Sequence, residues 1–313
     1  MRYGTDDRPG TNVSPIFVLP VRFARCGHTV FPLKITQSLV RAPSAIQITD
    51  MDLGLKGRNA LICGASSGLG LAIARELAAE GANVALVARR ESELTTHCQA
   101  IRDEFGVRAV PVPADLSQAD AASRVAAAVT DALGSIDICV ANAGGPPSTM
   151  FESTTDEQYH AALALNLMAS VRMAHAVVPA MRKAKWGRMI FLTSMAAKQP
   201  VAGLILSNTA RAGLLGFAKT LATEVARDGV LVNTVLPGHF DTARATQLAE
   251  MKAAREGKPV QDVLKARMGG IPLGRSGDPR EMAAVVAFLA SERASFLTGT
   301  AIQVDGGQVG TIF

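Results

Sequence analysis

The stretch that decides the fold reads Asn59-Ala-Leu-Ile-Cys-Gly-Ala-Ser-Ser-Gly-Leu-Gly-Leu-Ala-Ile-Ala-Arg-Glu-Leu77. Its apolar run, Ala60 to Cys63, is long enough for a buried strand and too short for a helix. A loop of small residues follows, with Gly64, Gly68 and Gly70, and then Leu71, Ala74, Leu77 and Ala78 recur at helical spacing. Strand, glycine loop and helix together form the context in which a dinucleotide fingerprint operates. Glycines let the backbone turn tightly and approach a pyrophosphate, and the helix start offers unpaired N–H groups and a positive dipole end. Ser66, Ser67 and Leu69, between the glycines, complete the expected cradle. The spacing is G-x-x-x-G-x-G rather than the commoner G-x-G-x-x-G. On its own the triplet reads equally well as a tight turn, so the rest of the chain has to decide.

Downstream, short apolar runs alternate with amphipathic ones. The pattern predicts strands over 84–88, 107–112, 136–140, 188–193, 230–235 and 300–304. Helices are expected over 90–104, from a cap at Ser117 to about 133, over 156–183 and over 203–227. Thr155 and Gln158 form a capping box, and Asp278-Pro-Arg-Glu281 opens the last helix with an N-cap, a first-turn proline and a capping glutamate. Alternating apolar strands and helices imply an α/β fold with a parallel sheet covered on both faces. Between 240 and 277 the pattern loosens, and this insertion is the expected substrate lid over the strand C-termini.

The chain has 313 residues, 48% of them hydrophobic and 19% charged, which fits one large α/β domain or two small ones. No apolar run reaches bilayer length; 16–21 comes closest and contains Pro20. Cys26, Cys63, Cys98 and Cys139 lack metal-ligand spacing and read as reduced thiols of a cytoplasmic protein. Of the net charge of +5, residues 1–50 supply +3, and residues 51–313 hold 26 basic against 24 acidic side chains. That balance supports neither a nucleic-acid nor a membrane partner.

Residues 1–50 read differently from the rest, with five of the fifteen prolines and no period. They are expected to form an irregular extension, with Met51 as the natural start of the domain spanning 51–313. A targeting segment is the rival reading, weakened by Asp6 and Asp7.

From Met51 to about Gly307 the motifs coincide with a family. Gly64-x3-Gly68-x-Gly70, Asp115-Leu116, Asn142-Ala-Gly144, Asn166, Ser194, Pro237-Gly238 with Thr242, and Asp305-Gly-Gly307 are all in place. The chain resembles the short-chain dehydrogenase/reductases, and in length and layout the bacterial 3-oxoacyl-acyl-carrier-protein reductases. The resemblance implies a Rossmann-type doubly wound sheet of seven parallel strands, a nicotinamide cofactor and hydride transfer at a carbonyl. It implies Asp115 and Leu116 near the adenine and Asn142, Ala143 and Gly144 along the cofactor floor, although Asn142 could merely shape a turn. It also implies a homotetramer or homodimer paired through the two long helices.

Cofactor choice is read at the second strand. It ends in Arg89-Arg90 with no acid to accept ribose hydroxyls, so a 2′-phosphate held by arginine, and hence NADPH, is expected. Two features weigh against this: Ser67 stands where a basic residue is common, and Glu91 and Glu93 could partner the arginines instead.

The family pattern breaks at the catalytic pair. A tyrosine should lie thirteen residues after Ser194 and a lysine four later; the chain has Ser207 and Arg211. The run Ala212-Gly-Leu-Leu-Gly-Phe-Ala-Lys219 holds the register, and the only tyrosines are Tyr3 and Tyr159. A serine is a far weaker acid than a phenol of pKa ~10, and arginine does not give up a proton in practice. Asn166, Ser194, Ser207 and Arg211 are therefore the candidate catalytic set. A bound water, Lys198 or His239 are the candidates for an auxiliary proton source. Two functions follow: an NADPH-dependent carbonyl reductase with a Ser–Arg site, acting on a 3-oxoacyl or other partly hydrophobic ketone, or an NADP(H)-binding protein without turnover.

Overall fold

The computed structural model describes residues 51–312. The expected extension over 1–50 lies outside the described residues. Seven parallel strands form one sheet in the order β3-β2-β1-β4-β5-β6-β7. They are β1 (Asn59–Cys63), β2 (Asn83–Ala88), β3 (Ala109–Pro113), β4 (Ile138–Ala141), β5 (Gly187–Leu192), β6 (Val230–Pro237) and β7 (Ala301–Val304). Every residue of β1 is buried because both faces of the sheet are covered. Ala60 and Ile62 join the apolar layer under α1 (Gly68–Ala79), α2 (Glu91–Phe105) and α9 (Pro279–Ala290). Leu61 and Cys63 join the opposite layer under α3 (Ala121–Leu133), α5 (Ala169–Ala184) and α6 (Ile205–Val225). A strand buried on both sides reads as a continuous apolar run, which is why it was legible. Each fully buried Ile or Leu contributes at most about 1.5–3 kcal/mol.

The long helix opened by Thr155 is α4 (Asp156–Leu163) running into α5 through a π turn, Ala164–Met168. The capping box forms as expected, with the Gln158 N–H donating to Thr155 Oγ1 and the Thr155 N–H to Gln158 Oε1. Although no apolar run was expected to reach bilayer length, Asp156–Ala184 has the length and composition to do so. Met173, Val177 and Met181, however, lie in the core, so this is a core helix. Phe191 of β5 meets Phe217 of α6 edge-on, with ring centroids 5.9 Å apart. Such a contact adds about 0.5–1.5 kcal/mol beyond burial and fixes α6 against the strand that leads to Ser194.

One expectation fails locally. Ser117 does not cap α3; its N–H and hydroxyl both donate to Asp115 Oδ1, and the helix starts at Ala121 after Asp120. A serine two residues after an aspartate can satisfy an Asx turn as well as a helix, and here the turn wins. The loosely patterned 240–277 stretch is helical over most of its length. It folds into α7 (Ala243–Glu256) and α8 (Val260–Gly269), held together by a small core of Ala249, Ala253 and Val263.

Candidate active site

Strand order reverses at β1 and β4, and in such sheets the crevice at that point opens outside the strand C-termini. A cavity of about 330 Å³ lies there. Its wall draws Gly64, Ser67, Gly68 and Leu69 from after β1, Asn142, Ala143 and Gly144 from after β4, and Ser194 from after β5. Ser207 and Arg211 join it from α6, and Pro237, Gly238 and Thr242 from the end of β6.

The glycines meet different demands. Gly64 has φ +62, and a Cβ there would come within 2.7 Å of Asn142 Nδ2. Gly70 is helical, but a Cβ would approach the Gly64 carbonyl oxygen to 2.3 Å, so it lets α1 sit directly on the loop. At Gly68 (φ +58) a Cβ would stand 3.5 Å from Thr242 Cγ2, filling the gap between the start of α1 and Thr242. That open cradle, facing the free N–H groups of a helix start, fits the pyrophosphate of a dinucleotide.

Ser207 and Arg211 lie one turn apart on α6 and are buried. Arg211 Nε–H donates to Ser207 Oγ at 3.2 Å. Its Nη1 donates to the carbonyl oxygens of Thr193 (2.7 Å) and Leu192 (3.4 Å), and its Nη2 to that of Ala143 (3.4 Å). Among the described residues no carboxylate pairs with it. Burial alone pulls its pKa down to about 10, so the guanidinium remains charged at neutral pH. Arginine has donors only, so the Ser207 oxygen acts as acceptor in this bond and its own O–H is left to donate elsewhere. Ser194 Oγ accepts the Ala196 N–H at 3.2 Å, which turns the end of β5 into a short helical turn. Asn166 sits in the π turn; its Nδ2 donates to the Gly144 carbonyl at 2.7 Å. Among the described residues its buried Oδ1 has no donor, and Asn166 itself does not line the cavity wall.

Other expected residues lie outside this cavity wall. Ser66 Oγ accepts from Arg90 Nη2 at 3.1 Å, and its carbonyl meets His97 Nε2 at 3.2 Å. Arg90 Nη1 also pairs with Glu93 at 2.6 Å, so that acid does partner it. Arg89 is exposed at the end of β2 and lies close enough to Asp115 to help lower its pKa, after the two Ser117 hydrogen bonds. Leu116 packs on the α3 side of the core. Gly70 acts in packing, as above. Of the auxiliary proton sources, Lys198 does not line the cavity, and His239 faces an adjacent one. Burial, then Arg267 and Lys252, push the His239 pKa down to about 4, so at neutral pH it is uncharged.

The sequence reading missed Arg244, which also lines the cavity. Its Nη2 donates to the Pro146 carbonyl at 3.0 Å, tying α7 to the loop after β4. Its position two residues past the helix-capping Thr242 was the available signal. The three cysteines among the described residues are free and buried, as expected.

A family model described as Enoyl-(Acyl carrier protein) reductase matches residues 64–308. Over 255 residues the chain is 36% identical to the 3-oxoacyl-[acyl-carrier-protein] reductase FabG of Vibrio cholerae, covering 82% of this chain and 98% of that protein. The chain belongs to the short-chain dehydrogenase/reductase family. It is 34% identical over 250 residues to the reductase MabA of Mycobacterium tuberculosis, covering 80% of this chain and 92% of that one. Among solved structures it superposes on the L-sorbose reductase of Gluconobacter frateurii, complexed with NADPH and L-sorbose. That match has a TM-score of 0.80 and 36% identity, and covers 84% of this chain and all of the other. A short-chain dehydrogenase/reductase is an NAD(P)-dependent oxidoreductase, and these relatives are reductases. Nicotinamide chemistry therefore comes to this chain through its family.

Proposed function

We propose that the chain is an NADPH-dependent carbonyl reductase in which Ser207, polarised by Arg211, presents the proton to the carbonyl oxygen. The observation that carries this is the 3.2 Å bond from Arg211 Nε to Ser207 Oγ in the wall that also holds Ser194. The nicotinamide cofactor would supply hydride. Gly64, Gly68 and Leu69 would hold its pyrophosphate, and Asn142, Ala143 and Gly144 its floor. Arg211 accounts for three backbone carbonyls and the Ser207 oxygen, so its positive charge is fixed where negative charge develops on the substrate oxygen. Ser194 and Ser207 supply the hydroxyls that orient that oxygen. Asn166, with its unpartnered Oδ1, supports a water from which Ser207 is reprotonated.

For NADPH over NADH, the support is Arg89 and Arg90 at the end of β2 with no acid between strand and helix, together with relatives solved with NADPH. The helices α7 and α8 serve as the lid. A serine donor predicts a slow enzyme on unactivated ketones, because a well-matched general acid is worth about 10²–10⁴ in rate. That same weakness motivates the second reading, cofactor binding without turnover. The two part on NADPH oxidation by residues 51–313 against ketones, 3-oxoacyl thioesters, aldehydes and quinones. Stoichiometric alcohol product, lost in Ser194→Ala, establishes the reductase. Intact NADPH binding with no turnover of any member establishes the second.

A further inference from the structure

A second cavity, of about 780 Å³, shares Leu204 and Leu248 with the first. It lies under α7 and α8, and its wall is not simply apolar. Beside Met251 and Val263 it carries Lys252, Arg255 and Arg267 against one carboxylate, Glu256. Glu256 is already engaged, by Lys258 at 3.1 Å and Lys252 at 3.8 Å. His239, the remaining titratable group on the wall, is neutral at pH 7, and the two cations that help to lower its pKa are Arg267 and Lys252. The field in this cavity is therefore positive.

Arg255 and Arg267 come from different helices. Among the described residues neither forms an ion pair, and the one hydrogen bond between them runs from Arg267 Nη1 to the Ala245 carbonyl at 3.1 Å. Arg267 is half withdrawn from water, leaving most of its five N–H donors without a protein acceptor. A Cβ built on Gly203 would stand 3.4 Å from Arg255 Nη1 and 3.5 Å from Ser148 Oγ. The Arg255 guanidinium thus lies beside the loop that leads into α6 and Ser207. A plainer reading is that each arginine sits in the last turn of its helix, where a cation meets the dipole. That explains their sequence positions, but not why both side chains turn into the same cavity.

We propose that this cavity receives an anionic group of the substrate, a carboxylate or a phosphate, on Arg255 and Arg267 while the carbonyl lies at Ser194 and Ser207. The inference rests on the reductase reading and narrows it: the substrate is a small carbonyl compound with a negative charge, rather than a neutral ketone. Guanidinium forks match both anions, and an engaged anion also draws α7 and α8 over the site.

The test compares charged and neutral members of matched pairs in NADPH oxidation: acetoacetate with methyl acetoacetate, and dihydroxyacetone phosphate with dihydroxyacetone. The anion of at least one pair should have kcat/KM higher by about 10-fold or more, the share of a hydrogen bond between charged groups. Which pair shows the preference tells carboxylate from phosphate. In Arg255→Gln/Arg267→Gln the ratio should fall towards one, whereas Lys265→Gln, an exposed position of α8 off the cavity wall, should keep it. Equal kcat/KM within both pairs would overturn the proposal. So would a double variant that loses only thermal stability and keeps the ratio, because the arginines would then be helix-end cations. If no substrate turns over, the reductase reading fails separately. The anion site is then read by calorimetry of acetoacetate and inorganic phosphate on NADP⁺-loaded protein. Binding weakened about 10-fold in the double variant sustains it, and no binding by the unmodified protein overturns it.

Discussion

Arg211 and Ser207, one turn apart on α6, are joined by a hydrogen bond in which the buried guanidinium donates to the serine oxygen at 3.2 Å. The arginine is held by the carbonyls of Leu192, Thr193 and Ala143, so it cannot follow the substrate out of the site. The pair has one weak acid and one fixed charge, where the resemblance read from the sequence implies a phenol and an ammonium.

Restoring that pattern should restore rate. Ser207→Tyr with Arg211→Lys places a phenol into a cavity with room for it. We expect kcat to rise by about 10²–10⁴, the usual worth of a positioned general acid. Steady-state NADPH oxidation at saturating cofactor measures this, and a fall in kcat would place the carbonyl elsewhere.

Removing the arginine should cost stability as well as turnover. Arg211→Met strips the donor from three carbonyls, two of them at the end of β5. Unsatisfied buried acceptors cost about 1–3 kcal/mol each, partly relieved by water entering the cavity, so a net loss of about 2–4 kcal/mol is expected. Urea unfolding checks it. Arg211→Lys, which keeps a cation, should lose less.

Cofactor choice should turn on Arg90. It already faces the glycine loop through Ser66 and shares its charge with Glu93. Arg90→Asp should lower kcat/KM for NADPH by roughly 10- to 100-fold, the worth of a charged hydrogen bond to phosphate, and leave NADH less affected. An unchanged ratio of the two cofactors would move the 2′-phosphate site to Arg89.

Acid should weaken the fold through His239. Its folded pKa of about 4 lies below the ordinary 6.5, chiefly from burial. Above pH 6.5 the ring is neutral in both states and contributes nothing. Between 6.5 and 4 the unfolded chain binds the proton and the folded one does not, so stability falls as pH falls. After discounting for its partial exposure the loss is on the order of 2 kcal/mol. Thermal unfolding of His239→Gln should show a shallower decline across that window.

Much of this was legible because the signals were local. The capping boxes at Thr155 and Asp278 formed as read, since both partners lie within one turn. The buried strands announced themselves because covering both faces leaves few polar positions, Arg188 and Asn233 among them. Counting from Ser194 pointed to Ser207 and Arg211, which do line the cavity from α6. Long-range facts were not legible. Nothing local shows that Arg244 reaches back to Pro146, or that Arg255 and Arg267 from two helices share one cavity. The composition of 240–277, with Gly257, Gly269 and Gly270, hid two helices whose small core of Ala249, Ala253 and Val263 is too sparse to mark a period. Ser117 could cap or turn, and only Asp115 beside it decided which.

The account stands most directly on Ser207→Ala. NADPH oxidation and NADPH binding should be measured together on this variant and on the unmodified protein. The account predicts turnover with stoichiometric alcohol product in the unmodified protein. In Ser207→Ala, kcat should fall by about 10-fold or more, the share of a positioned proton donor, with NADPH affinity kept within about twofold. Equal kcat in both proteins would contradict it.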